Sequence, residues 1–209
     1  AELFLAIPMT VNNDNSTFFS IVQFLCYGNN NMVDILELCG GEGRISQIGF
    51  TRNLISGGNL DLVTGCDLGS LPVQSAVLDY QRKCFILVVI AQPNCRTTGS
   101  FSNYNATHHH DTWKKHHNED LPHIRFCGTM ALNQMKLGRF WMREQPAGTW
   151  IDKIYPWTEV QKHESVINIH MDQCAAGAID ESGIPVKKPT KWSANHYALL
   201  LPLSKMVCD

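Results

Sequence analysis

Short apolar runs alternate with amphipathic segments along most of the chain. MVDILEL, residues 32–38, is apolar and bounded by Asn-rich and Gly-rich punctuation, so it reads as a buried strand. EGRISQIGFTRNLI, residues 42–55, carries Ile45, Ile48, Leu54 and Ile55 at mostly helical spacing, and the following Ser-Gly-Gly is expected to stop that helix. LDLVTGCDL, residues 60–68, reads as a second strand ending at Asp67. LPVQSAVLDYQRK, residues 71–83, is expected to be a helix with Pro72 in its first turn. CFILVVIAQP, residues 84–93, is the most continuous β-branched run, which predicts a central strand covered on both faces. Residues 94–123 are polar and His-rich and read as a long loop. A helix over 124–138, a strand over 139–146, a helix over 157–165 and a strand over 166–174 follow. Residues 175–190 read as a loop, and 191–203 as a last strand and a turn. Ahead of all these, Ser16 is placed to cap a helix over 17–28 that Gly28 would end.

Strands alternating with helices predict an α/β layer fold with a mostly parallel central sheet and helices on both faces. Residues 1–31 read as an N-terminal extension packing on a domain of residues 32–209. In such sheets ligands sit outside the carboxyl ends of the strands. Four polar clusters follow expected strands there: CGGEGR from Cys39, CDLGS from Cys66, QPNCR from Gln92 and REQPAGTW from Arg143.

Composition narrows the field. With 44% hydrophobic residues in 209, one domain can bury a real core. The formal charge of −2 excludes a global basic field, though not a local basic face. Eight cysteines occur without a Cys-x-x-Cys pair, which argues against a zinc ribbon. Cys39, Cys66, Cys84 and Cys174 lie in or beside apolar runs and read as buried thiols of an intracellular, reducing compartment, nucleus or cytoplasm. No apolar run approaches the roughly 18–20 residues of a membrane span, so no membrane partner is expected. AELFLAIPM lacks the basic flank of a signal peptide, and Ala1 in place of Met leads us to expect a piece of a longer polyprotein.

A strand followed by Glu-Leu-x-Gly-Gly-x-Gly and a helix reads as a nucleotide-cofactor loop; the plainer reading is a tight turn. The acidic Glu37 points to a cationic ligand rather than a pyrophosphate, and Asp67 at a strand end suits ribose hydroxyls. S-adenosylmethionine, with its ammonium and sulfonium, matches both features. The later clusters sharpen this. VVIAQPNCRTTGSFS resembles the catalytic motif of DNA cytosine-5 methyltransferases, where a strand runs into Pro-Pro-Cys and a Phe/Ser loop. FWMREQPAGTW is similar to their Glu-Asn-Pro or Glu-Asn-Val signature. DQCAAGAIDESGIPVKKPTKWSAN resembles the late segment of phage-type members. Residues 36–203 also resemble methyltransferase-like domains of retroelement-type polyproteins of dinoflagellates.

The resemblance implies a Rossmann-like class I methyltransferase fold, S-adenosylmethionine as cofactor and nucleic acid as partner, DNA in preference to RNA. It implies Cys95 as the nucleophile for cytosine carbon 6 and Glu144 as the acid at nitrogen 3, with Arg96 favouring the thiolate. Glu37, Cys39, Gly40, Gly41, Glu42, Gly43, Asp67 and Pro93 would hold the cofactor. Lys187, Lys188 and Thr190 would grip nucleic acid; from the residues themselves, Trp113, Lys114 and Lys115 read either as a stacking and charged grip on single-stranded nucleic acid or as an ordinary surface helix. His108, His109, His110, His116 and His117 carry metal-ligand chemistry, yet a solvated loop without metal is expected. Asn94 stands where the family has Pro, Gln145 where it has Asn, and one expected strand before Cys95 is missing. Cys95 also suits a buried thiol and Glu144 a partner of Arg143 or Arg139, so the alternative is a non-catalytic module binding nucleic acid or a protein partner.

Overall fold

A computed structural model describes residues 32–208; the helix expected over 17–28 and the N-terminal extension lie outside them. Six strands form one sheet: β1 (Met32–Leu38), β2 (Ser56–Leu60), β3 (Phe85–Ala91), β4 (Phe140–Pro146), β5 (Ile167–Asp172) and β6 (Pro189–Ala194), in the order β2-β1-β3-β4-β6-β5. The helices are α1 (Arg44–Thr51), α2 (Leu71–Lys83), α3 (Ser102–His108), α4 (His110–Lys136), α5 (Trp157–Lys162) and α6 (Tyr197–Leu200).

The expected Rossmann-like, mostly parallel sheet is corrected to a mixed one. β1 pairs in parallel with β2 and β3, and β3 with β4. β6 runs antiparallel to both neighbours, β4 and β5. The physical reason lies in the connections. Helices link the parallel strands, as parallel pairing requires a crossover. Between β5 and β6 there is only a short 3-10 turn, Gln173–Ala176, and an isolated bridge from Ile179 to Pro185, so the chain doubles back beside β5.

Two elements differ from the sequence reading. The second strand is Ser56–Leu60, not the run ending at Asp67. Its glycines looked like a helix stop, but Gly57 lets this edge strand lie close to the core: a Cβ there would stand 2.9 Å from both Tyr80 Oη and Val33 Cγ1. Residues 102–136 are largely helical rather than a loop, and α4 runs through Pro122. The polar half of α4 is held by side chains: Trp113 stacks on His117 at 4.8 Å, one turn apart, and buried Asp120 takes Arg96.

One sheet face carries the main core. Leu36, Leu38, Val89 and Trp141 meet Val73, Val77 and Tyr80 of α2, Ile124, Cys127 and Met130 of α4, and Trp157 and Val160 of α5. The opposite face is thinner, with Ile90, Met142, Ala194 and Leu200 buried and Ile45, Val88 and Trp192 packed against them. β4 and β6 are further joined by a buried ionic cluster. Arg143, fully buried, donates from Nη2 to Asp152 Oδ1 at 2.5 Å and to Ser193 Oγ at 3.3 Å, and lies 4.3 Å over the Trp157 ring. Lys191 Nζ reaches the other Asp152 oxygen at 2.6 Å. Burial alone would push the Asp152 carboxyl up, but Arg143 and Lys191 hold it below the usual carboxylate range.

Gly57→Ala tests the edge-strand packing. The added methyl must displace Tyr80 or Val33, so the variant is expected to lose about 1–3 kcal/mol in urea unfolding. Unchanged stability would show that β2 has room to spare.

Candidate active site

The carboxyl ends of β1, β3 and β4 and the amino end of antiparallel β6 converge at one edge of the sheet, and there the chemistry-bearing residues collect. Cys95 sits half-buried in the loop from β3 to α3. Glu144 projects from β4, directly across the ladder from Trp192 of β6. Lys188 immediately precedes β6. The three are close enough for their charges to act on one another. Burial raises the Cys95 thiol; Lys188 pulls it down and Glu144 pushes it up. Burial likewise raises the Glu144 carboxyl above the usual range, against the pull of Lys188. Glu144 Oε1 and Trp192 Nε1 are both buried without a hydrogen-bond partner. A carboxyl raised by burial beside a cysteine is suited to protonating a ring nitrogen as sulfur adds to the ring.

Arg96 is placed elsewhere. It turns to α4, with Nε 2.9 Å from Asp120 Oδ2 and Nη2 3.0 Å from Glu119 Oε2. The hydrogen bond to Asp120 foremost holds it charged. Lys188, not Arg96, is the cation that acts on Cys95. Pro93 is buried and its carbonyl accepts a hydrogen bond from Gln145.

The glycine loop follows β1. Gly41 takes φ 57, and no atom lies within 4 Å of where a Cβ would project, so the loop leaves an open face there. Its N–H donates to Asp61 Oδ2 at 3.0 Å, while the Gly40 N–H donates to Asn59 Oδ1 at 3.1 Å. Gly43 caps α1, and Glu42 is exposed and paired with Arg44 at 2.9 Å. Cys39 lies with its sulfur 3.9 Å from Cys127 Sγ. Glu37 differs from expectation. It is buried, and its Oε2 accepts from the Ser46 N–H and hydroxyl at 2.9 and 2.7 Å, so it anchors α1.

Asp67 is also corrected. It is exposed, seven residues beyond β2, and caps its own turn through the Gly69 N–H at 2.8 Å. The carboxylate at the end of β2 is Asp61, which sequence reading missed. A signal was present: Asp61 and Thr64 bond reciprocally across a capping box, which marks the strand's end. Each Asp61 oxygen keeps a lone pair beyond its bonds to Gly41 and Val63, so it can accept from ligand hydroxyls.

The expected nucleic-acid residues divide. Lys114 and Lys115 are exposed on α4. Lys187 is exposed, 3.8 Å from Asp172 Oδ2, and Lys188 is exposed beside the Cys95–Glu144 pair. Thr190 is corrected to a buried position inside β6, with its hydroxyl donating to the Lys188 carbonyl. Trp113 has one ring face covered by His117, which stacks on it at 4.8 Å, and its Nε1 donates to Ser102 Oγ at 3.0 Å. Cys174, expected as a buried thiol, is half-buried and bonded to Cys208.

Among the described residues no helix is long and apolar enough to cross a membrane. Compared with known proteins, the chain matches no family model and no curated sequence.

Glu144 makes stability depend on pH. Its folded pKa lies above the unfolded value, so its contribution is full below the unfolded pKa and is lost as pH rises through the folded one. Glu144→Gln is therefore expected to match the parent in urea unfolding near about pH 4 and to exceed it at about pH 8. A constant difference across that range would mean that Glu144 is solvated.

Proposed function

We propose that this chain is an enzyme that methylates carbon 5 of cytosine in nucleic acid, DNA in preference to RNA, using S-adenosylmethionine. The observation that carries this reading is that Cys95 in the loop after β3, Glu144 on the neighbouring β4 and Lys188 just ahead of β6 come to one edge of the sheet. Carbon 5 of cytosine is a weak nucleophile. Addition of the Cys95 sulfur to carbon 6, with the Glu144 proton passing to nitrogen 3, converts the ring to an enamine whose carbon 5 is electron-rich. Burial raises the Glu144 carboxyl and so favours the protonated form that serves as the acid, while Lys188 offsets the carboxylate charge that opposes the thiolate. Lys188 favours that thiolate and, being exposed, also meets a phosphate.

The residues of the glycine loop fit the cofactor. The open side of Gly41 admits a ligand against the backbone, and Asp61 suits ribose hydroxyls. S-adenosylmethionine, when bound, supplies an electrophilic methyl group. The residues around Cys95 hold and protonate the base; the carbon-5 proton then passes to solvent water, sulfur leaves carbon 6 with the electrons of their bond as the Cys95 thiolate, and nitrogen 3 returns its proton to Glu144.

A second reading is a non-catalytic module that binds nucleic acid or a protein within a larger polyprotein. It is favoured by Glu37, whose carboxylate is committed to Ser46, and by the burial that raises the Cys95 thiol and disfavours its thiolate.

An oligonucleotide carrying 5-fluorocytosine separates the two. Fluorine does not leave as a cation, so the Cys95–carbon 6 bond persists after methyl transfer. A covalent adduct is expected only with S-adenosylmethionine, absent in Cys95→Ser and slowed about 10²–10⁴-fold in Glu144→Gln. Calorimetric binding of S-adenosylhomocysteine without any adduct would favour the module.

A further inference from the structure

The loop that presents Cys95 is tied down from one side by a single segment, the end of β4 and the turn after it. Gln145, 1% exposed, donates from Nε2 to the Pro93 carbonyl at 2.6 Å. Its Oε1 lies 3.3 Å from Thr149 Oγ1, and that hydroxyl is 3.1 Å from the Thr98 carbonyl. The Trp150 N–H donates to the same Thr98 carbonyl at 2.9 Å. Between these two anchors the loop closes on itself. Asn94 Oδ1 accepts from the Arg96 N–H at 2.9 Å, and the Thr98 and Gly99 N–H groups donate to the Cys95 carbonyl at 3.2 and 2.7 Å.

Gln145 and Asn94 are the two positions at which the motif resemblance breaks. Neither is left idle. The Asn94 side chain makes the turn locally. An asparagine at 145 is one carbon shorter and would not span to Pro93 from the same backbone. Gln145 also neighbours Glu144, and successive residues of a strand point to opposite faces. One strand therefore offers the acid on one face and grips the nucleophile's loop on the other.

We infer that Gln145 and Thr149 form a clamp that sets Cys95 against Glu144, which makes them positioning residues for the site. This rests on the reading of Cys95 as nucleophile. The clamp holds the sulfur half-buried at one distance from the acid; released, the loop exposes the thiol to water and moves it out of register. The clamp thus makes Cys95 less reactive toward small reagents and more effective toward a bound base, and these opposite effects distinguish positioning from simple stabilisation.

The test uses the full chain. Iodoacetamide alkylation of Cys95, followed by peptide mass spectrometry across a pH series, is measured beside the 5-fluorocytosine adduct in the parent, Gln145→Leu, Thr149→Val and Thr149→Ser. Gln145→Leu and Thr149→Val are expected to alkylate about tenfold faster below the thiol pKa, with the midpoint moved down, as one pKa unit implies. Their adduct formation is expected to fall about 10²-fold, the usual cost of small misplacement. Thr149→Ser keeps the hydroxyl and is expected to behave as the parent. Folded Gln145→Leu and Thr149→Val with the parent's alkylation profile would overturn the inference; if Gln145→Leu does not fold, the Thr149 pair decides alone. If the parent forms no adduct on any nucleic acid, the cytosine reading fails, and the alkylation profiles still decide the clamp.

Discussion

A buried guanidinium holds the candidate site together. Arg143 of β4 is enclosed by Asp152, Ser193 and the face of Trp157, and Asp152 in turn takes Lys191 of β6. Removing one partner from such a cluster leaves a charge stranded without water, which typically costs about 3–5 kcal/mol. The cluster therefore joins β4 to β6, and that pairing brings Lys188 to Glu144. Without β6 beside β4, the acid on β4 would have no cation, and Cys95 would face a bare carboxylate.

The antiparallel entry of β6 has a second consequence. In the parallel part of the sheet only carboxyl ends reach the edge that carries Cys95, whereas β6 brings its amino end there. The segment ahead of it, with Lys187 and Lys188, is thus presented at the same edge as the glycine loop and Cys95. The tail is bound to this segment too: Cys208 is bonded to Cys174, and its carbonyl lies 3.5 Å from Lys187 Nζ.

Local chemistry was legible in the sequence, and non-local pairing was not. The helix over 71–83 is found with those bounds, and the apolar run from residue 84 is the central β3, because each carries its own periodicity. Ser56–Leu60 was hidden, since glycines argue against a strand unless a neighbour such as Tyr80 needs their missing side chains. α4 was hidden by its polar face and by Pro122. The antiparallel turn of the sheet depends on how β5 and β6 fold back, which no local pattern states. In the site, motif order singled out Cys95 and Glu144 as candidate chemistry and Lys188 only as a candidate phosphate contact, not as the cation acting on Cys95. It could not show that Arg96 would be drawn away by Asp120 from a neighbouring helix, or Glu37 by Ser46. Nor does the motif state that Gln145, standing where the family has Asn, reaches the Pro93 carbonyl.

The central claim is that Cys95, Glu144 and Lys188 act as one electrostatic unit. The pH midpoint of Cys95 alkylation in Lys188→Met and in Glu144→Gln tests it most directly. Loss of the lysine should move the midpoint up, and loss of the carboxylate should move it down. A midpoint unmoved by either substitution would place the three groups in separate environments and contradict the site.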